Sequence, residues 1–153
     1  MEKIAEINNR NITFEEYDTS KNWIAEFPTE NWCLVIVAEE ENRNYFDEII
    51  RKSIDRNVAY IHSVGKQHIL IHDMADEELV FRDIDIENHY LPKHLIMTTG
   101  QEDFENGIWF GIYATDSNET EIEQVVILDV SRNVREKTIE LIKKFELGYV
   151  PNY

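Results

Sequence analysis

Four side chains between positions 68 and 76 could do chemistry near neutral pH: His68, His72, Asp73 and Asp76. On a helix, His68, His72 and Asp76 recur every four residues and share a face, with Asp73 beside them. Two imidazoles at H-x-x-x-H spacing can reach one metal ion, which makes His68 and His72 candidate ligands. His72 with Asp73 or Asp76 to orient it could instead be a general acid–base group, so His72, Asp73 and Asp76 are the candidate catalytic set. Position 69 is Ile, so the glutamate of a metalloprotease H-E-x-x-H is missing. The plainer reading of the same residues is the wet face of an amphipathic helix, where a His72–Asp76 pair contributes about 0.2–0.5 kcal/mol.

The stretch that must position them is VAYIHSVGKQHILIHDMADEE, Val58 to Glu78. Val58–His62 predicts a buried strand, Ser63-Val64-Gly65 a turn, and Lys66 to about Glu78 a helix burying Leu70, Ile71 and Met74. Ile69-Leu70-Ile71 could also form a short strand. Upstream, WCLVIVA at Trp32–Ala38 is an unbroken apolar run, the pattern of a strand buried on both faces in a parallel sheet. A helix capped by Asn42 or Asn44 follows to about Arg56. Downstream come a strand at Leu95–Thr99, a helix from about Glu102 to Thr115, a strand at Val125–Val130 and a helix at Asn133–Phe145 ended by Gly148. Gly107 and Gly111 sit one turn apart on the Glu102–Thr115 helix, which implies close packing against a neighbour. The same helix, with Trp109 and Phe110, could alternatively serve self-association.

Four successive βα units predict an α/β fold: three layers, with a mostly parallel sheet of four to five strands and helices on both faces, Rossmann-like or flavodoxin-like. One domain is expected over 1–153, with 1–30 an N-terminal extension, 31–147 the βα core and 148–153 a tail. The extension could add an edge strand near Asn11–Tyr17 and a short helix near Ser20–Phe27. In such folds ligands bind outside the carboxyl ends of the strands. That rule adds His62, Ser63, Thr98, Thr99 and Asp129 as candidate ligand-binding residues, although a satisfied core histidine is the plainer account of His62.

Charge narrows the partners. With 31 acidic and 15 basic residues the net charge is -16, which would repel a phosphate backbone, so direct nucleic-acid binding is not expected. A protein partner, and a basic one, suits that surface. No cofactor is expected, because neither a G-x-G-x-x-G nor a G-x-x-x-x-G-K-[ST] cradle is present and three glutamates follow the first βα strand. The triplet Glu39–Glu41 could hold Mg²⁺ or simply favour a helix N-terminus. No Gly-x-Ser-x-Gly elbow supports a serine hydrolase. The lone Cys33 lies in an apolar run and reads as core filler. No run approaches a membrane span and the first residues lack a signal-peptide core, so a cytoplasmic location is expected.

The succession Trp32–Ala38, Tyr60–Gly65, His72-Asp73 with Asp76-Glu77-Glu78, Met97-Thr98-Thr99, Trp109-Phe110 and Asp129-Val130-Ser131 resembles a family of small uncharacterised bacterial α/β domains. The likeness spans most of Trp32–Phe145. It implies the α/β fold and directs attention to His72-Asp73 without implying a reaction. The functional expectation is a non-catalytic protein-binding or regulatory module of the inhibitor or immunity type. The alternative is a small-ligand or metal-assisted hydrolytic site at the strand ends. A homo-oligomer is compatible with either.

Overall fold

The computed structural model describes residues 1–85 and 87–152. The chain runs β1 (Glu2–Ile7), β2 (Arg10–Glu16), β3 (Trp32–Val37), α1 (Arg43–Asp55), β4 (Tyr60–Val64), α2 (His68–Ile84), β5 (Met97–Gln101), α3 (Phe104–Tyr113), β6 (Gln124–Asp129) and α4 (Arg135–Glu146). The strands form one six-stranded sheet in the order β1-β2-β6-β3-β4-β5. Only β1 is antiparallel to its neighbour; β2, β6, β3, β4 and β5 are mutually parallel. The fold is thus α/β with a mixed, mostly parallel sheet.

Alternation along the strands builds the two cores. Trp32, Leu34 and Ile36 of β3 face one side, with Phe46, Ile49, Ile50 and Ile54 of α1 and Ile71 and Ala75 of α2. Cys33, Val35 and Val37 face the other, with Ile108 and Ile112 of α3 and Leu141, Ile142 and Phe145 of α4. All six residues of β3 are buried, as a strand covered by helices on both faces requires. Cys33 has no exposed surface, and burial pushes its thiol up to about 12, the environment of core filler.

The sheet exceeds the expected four to five strands because the first 30 residues supply two. Asn8 and Asn9 turn the chain at positive φ between β1 and β2, a conformation asparagine tolerates better than most residues. The strand expected near Asn11–Tyr17 is β2, which is not an edge: β1 lies outside it. The helix expected at Ser20–Phe27 is instead a series of turns. Their aromatics carry the packing, Trp23 edge-on to Tyr17 at 5.4 Å and to Phe27 at 5.3 Å, and Phe27 edge-on to Trp32 at 5.8 Å. Helical periodicity was absent there because anchoring comes from large rings rather than from a stripe.

Helix α3 comes close to the sheet through its two glycines. A Cβ on Gly107 would lie 2.7 Å from both Val64 methyls, and one on Gly111 would lie 2.5 Å from Val35 Cγ2. The self-association alternative for this glycine pair therefore gives way to packing on the chain's own sheet. Gly111→Ala should gain about 1 kcal/mol in helix propensity yet lower stability overall, by about 1–2 kcal/mol, because overpacking outweighs it. Urea unfolding of Gly111→Ala, alone and with Val35→Ala, checks this: the second change should restore part of the loss.

Among the described residues, no helix is long and apolar enough to cross a membrane.

Candidate functional site

The reversal of strand order fixes where the ends of β3 and β6 stand. From β3 the chain steps outward to β4 and β5, then returns across the sheet to β6 on the opposite side of β3. Between the carboxyl ends of β3 and β6 lies a crevice of about 210 Å³ lined by Ala38, Glu39, Glu40, Glu41, Asn42, Tyr45, Val130, Ser131 and Asn133. Asn42 caps α1 by accepting a hydrogen bond from Tyr45 N at 3.1 Å. Asp129, fully buried beneath, accepts from Ser131 Oγ, from Arg132 N at 2.9 Å and from Val134 N at 3.0 Å. Its lone pairs thus hold the turn into α4 rather than opening toward a ligand.

His62 and Ser63 lie inside, with Thr99 half-buried beside them. His62 has no exposed surface, stacks on Phe110 at 4.6 Å between centroids, and its Nδ1 is 2.6 Å from Thr99 Oγ1. Its Nε2 faces Gln101 and the Gly107 backbone without a hydrogen-bond partner among the described residues. Burial is the largest cause holding this imidazole down at about 4, so it is neutral at pH 7. Ser63 Oγ donates toward His68 O and Thr99 O, each at 3.2 Å. Their partners are those of packed core groups between α2, α3 and the sheet.

The helical set forms a different arrangement on the outside. Gly65 turns at φ +109° beside the Ala38 carbonyl, where a side chain would collide, and α2 starts three residues later. His68 Nδ1 is tied to Gly65 O at 2.9 Å. Thr98 Oγ1 donates to Asp76 Oδ1 at 2.5 Å and lies 3.3 Å from His72 Nε2. A hydroxyl has one proton, and here Asp76 takes it, so His72 is left to donate its own N–H to Thr98. Asp73 and Asp76 lie 3.7 Å and 3.5 Å from His72 Nδ1, ion-pair distances rather than hydrogen bonds. His72, Asp76 and Thr98 therefore converge in a closed polar network, while Asp73 is exposed at its rim. Among the described residues no third ligand joins His68 and His72 in a metal cluster; the one such group is Asp85, Glu87 and His89, of which Glu87 and His89 are exposed.

Sequence reasoning missed what surrounds that network. Helix α2 does not stop near Glu78 but continues to Ile84, and β5 begins two residues later than expected, at Met97. The extension exposes Val80, Phe81 and Ile84, at 59%, 46% and 71%, while Ile69 at the other end is 65% exposed. Leu95, just before β5, is 63% exposed. Two shallow depressions of about 270 Å³ each flank the network, one lined by His68, Ile69, His72 and Gly100, the other mainly by Leu79, Val80, Asp83, Leu91, Leu95 and Ile96. The signal was present in VFRDI, Val80–Ile84: apolar residues distributed around the helix rather than on one stripe belong to an element with two apolar faces. Arg82 holds this extension in place. It is 7% exposed and donates Nε to Glu78 at 2.8 Å, and Nη1 to Asp55 at 2.7 Å and to Tyr90 O at 2.8 Å.

A family model described as a domain of unknown function (DUF7684) matches residues 12–145. Neither a curated protein nor a solved structure matches the chain.

Proposed function

The chain belongs to that family of domains of unknown function (DUF7684), and we propose that it is a non-catalytic protein-binding module, of the inhibitor or immunity type, acting in the bacterial cytoplasm. The observation that carries this reading is the outer stripe of α2, where exposed Ile69 and Val80 alternate with the acidic Asp73, Asp76 and Asp83 beside exposed Leu95. Apolar anchors ringed by charge of one sign are what a specific, electrostatically steered interface needs. The bonding around His72 is compatible with the same reading, since its Nε2 is engaged by Thr98 and Asp76 is bonded to Thr98 rather than to the imidazole.

The test is capture of a partner from cell extract at low and high salt, with Asp73→Lys/Asp83→Lys as the control. A partner whose yield drops by about tenfold on raising salt through the range where surface charges are screened, and equally on charge reversal, is the expected result. Capture indifferent to both would contradict the reading.

A small-ligand site is the second reading, and a separate observation favours it. The 210 Å³ crevice stands at the reversal of strand order, where doubly wound, Rossmann-like folds take their ligands. Its Glu39–Glu41 rim suits a cation or an amine rather than a phosphate. A melting shift with a divalent metal or a small amine that disappears in Glu40→Gln/Glu41→Gln would favour it over protein binding.

A further inference from the structure

β5 is the last strand of the sheet, and among the described residues it pairs with β4 alone. Met97 N donates to Ala59 O at 3.2 Å, and Gln101 O accepts from Gly65 N at 3.0 Å, so the odd-numbered residues turn their backbone groups inward. Thr98 and Gly100 therefore turn theirs outward, away from the sheet. The strand reads MTTGQ. It carries no lysine and no proline, the devices that ordinarily blunt an edge against pairing.

The surface beside this edge has a matching period. Ile69, Asp73, Asp76 and Val80 lie about one per turn along α2. Ile69 shares its depression with Gly100, and Val80 shares the other with Leu95 and Ile96. Between them Asp76 is bonded to Thr98. Gly100, Thr98 and Ile96 are two residues apart on the α2 side of the sheet, the spacing at which an added strand presents its own side chains.

Building on the protein-binding reading, we propose that β5 takes an extended basic segment of a partner protein as a seventh strand. A lysine or arginine of that segment faces Asp73 and Asp76. Apolar residues two positions before and after it enter the depressions at Ile69–Gly100 and Val80–Leu95. Main-chain hydrogen bonds to Thr98 and Gly100 supply affinity that any sequence could earn, and the apolar–basic–apolar alternation supplies the selection. A second copy of the chain is a poorer occupant. Antiparallel pairing of Thr98 with Gly100 of that copy would bring Asp73 and Asp76 of both chains toward the same axis, like charges against like.

The experiment selects peptides of about ten residues from a displayed random library on the full-length chain, a length matched to one added strand. Amide exchange of the chain is then followed with a recovered peptide bound. Expected are sequences with Lys or Arg flanked two residues away on both sides by apolar residues, and exchange at Thr98 and Gly100 slowed by about tenfold or more. Asp73→Lys, at an exposed position, should weaken the peptide by about tenfold. Recovery of neutral or acidic sequences, recovery of no binder, or binding that leaves Thr98 and Gly100 exchanging freely would each overturn the proposal. Self-association of the chain that itself protects these two amides would also overturn it. A partner captured in the salt-dependent assay that leaves the two amides unprotected would sink strand addition while leaving the protein-binding reading intact.

Discussion

Arg82→Ala should lower the stability of the chain by about 2–4 kcal/mol, read by urea unfolding, the largest effect expected of any single substitution. The guanidinium is almost wholly buried, and it joins three elements: Glu78 within α2, Asp55 at the end of α1, and the Tyr90 carbonyl in the connection to β5. Removing it leaves the Glu78 carboxylate, only 11% exposed, with the longer 3.6 Å contact to the half-exposed Arg51 as its remaining ion pair. Asp55, which is half exposed, can return to water and adds little to the loss. Arg82→Lys should recover only part of the stability, because an ammonium cannot span Glu78 and Asp55 as a planar fork does. Arg82→Met/Glu78→Leu, which replaces the pair by apolar volume, should come out far closer to the parent than Arg82→Ala. If all three variants are equally unstable, the pair is not what holds α2 against α1.

The second large effect is a dependence on pH centred on His62. Its ordinary value is 6.5, and the folded environment holds it at about 4, so the unfolded chain takes up a proton before the folded chain does. Stability from this group is therefore complete above 6.5 and is lost as the pH falls from 6.5 through 4. Over the upper part of that window, before carboxylates titrate, the loss should reach about 2 kcal/mol. Of the groups facing the ring, Thr99 and Phe110 carry no charge, and Gln101 and the Gly107 backbone favour the protonated form by less than burial opposes it. Melting temperatures of the parent and of His62→Phe, measured between pH 7 and about pH 5, give the comparison. The parent should lose stability relative to the variant as the pH falls; parallel curves would mean that the imidazole is protonated, or solvated, in the folded chain.

These two residues also mark how far the sequence could be read. The parallel sheet and its four helices were legible because WCLVIVA and VVILDV are continuous apolar runs and because Asn42 and Gly148 stand where a helix opens and closes. The Gly107–Gly111 spacing foretold close packing correctly, since a turn of helix without side chains has few other uses. Of the antiparallel β1–β2 hairpin only the second strand was legible: its buried apolar residues, Ile12 and Phe14, are too few to set a period that reveals the pairing with β1. Nor was the full length of α2, whose second half is apolar toward solvent as well as toward the core.

The candidate site separated in the same way. His72, Asp76 and Thr98 come together although 22 to 26 residues divide the helical pair from the threonine, because α2 lies along β5. Asp129 fell at a strand end as expected, whereas His62 stands mid-strand, because β4 runs Tyr60–Val64 rather than ending at His62; both lie inside rather than at a mouth, His62 against Thr99 and Asp129 in the turn it holds. Strand-end position alone cannot tell a residue that faces a crevice from one that pins the turn beneath it. The feature that carries the functional reading, exposed apolar side chains interleaved with aspartates beside the outer edge of β5, depends on which helix faces lie outward. That is a property of packing, not of spacing.

The central claim is that partners are recognised on the α2–β5 face. The measurement that bears on it most directly is an amide-exchange map of the full chain with a captured partner bound. Protection concentrated at Leu95–Gln101, together with the outer stripe from Ile69 to Asp83, is the predicted result. Protection at the Glu39–Glu41 and Ser131–Asn133 crevice, with α2 and β5 unchanged, would contradict it.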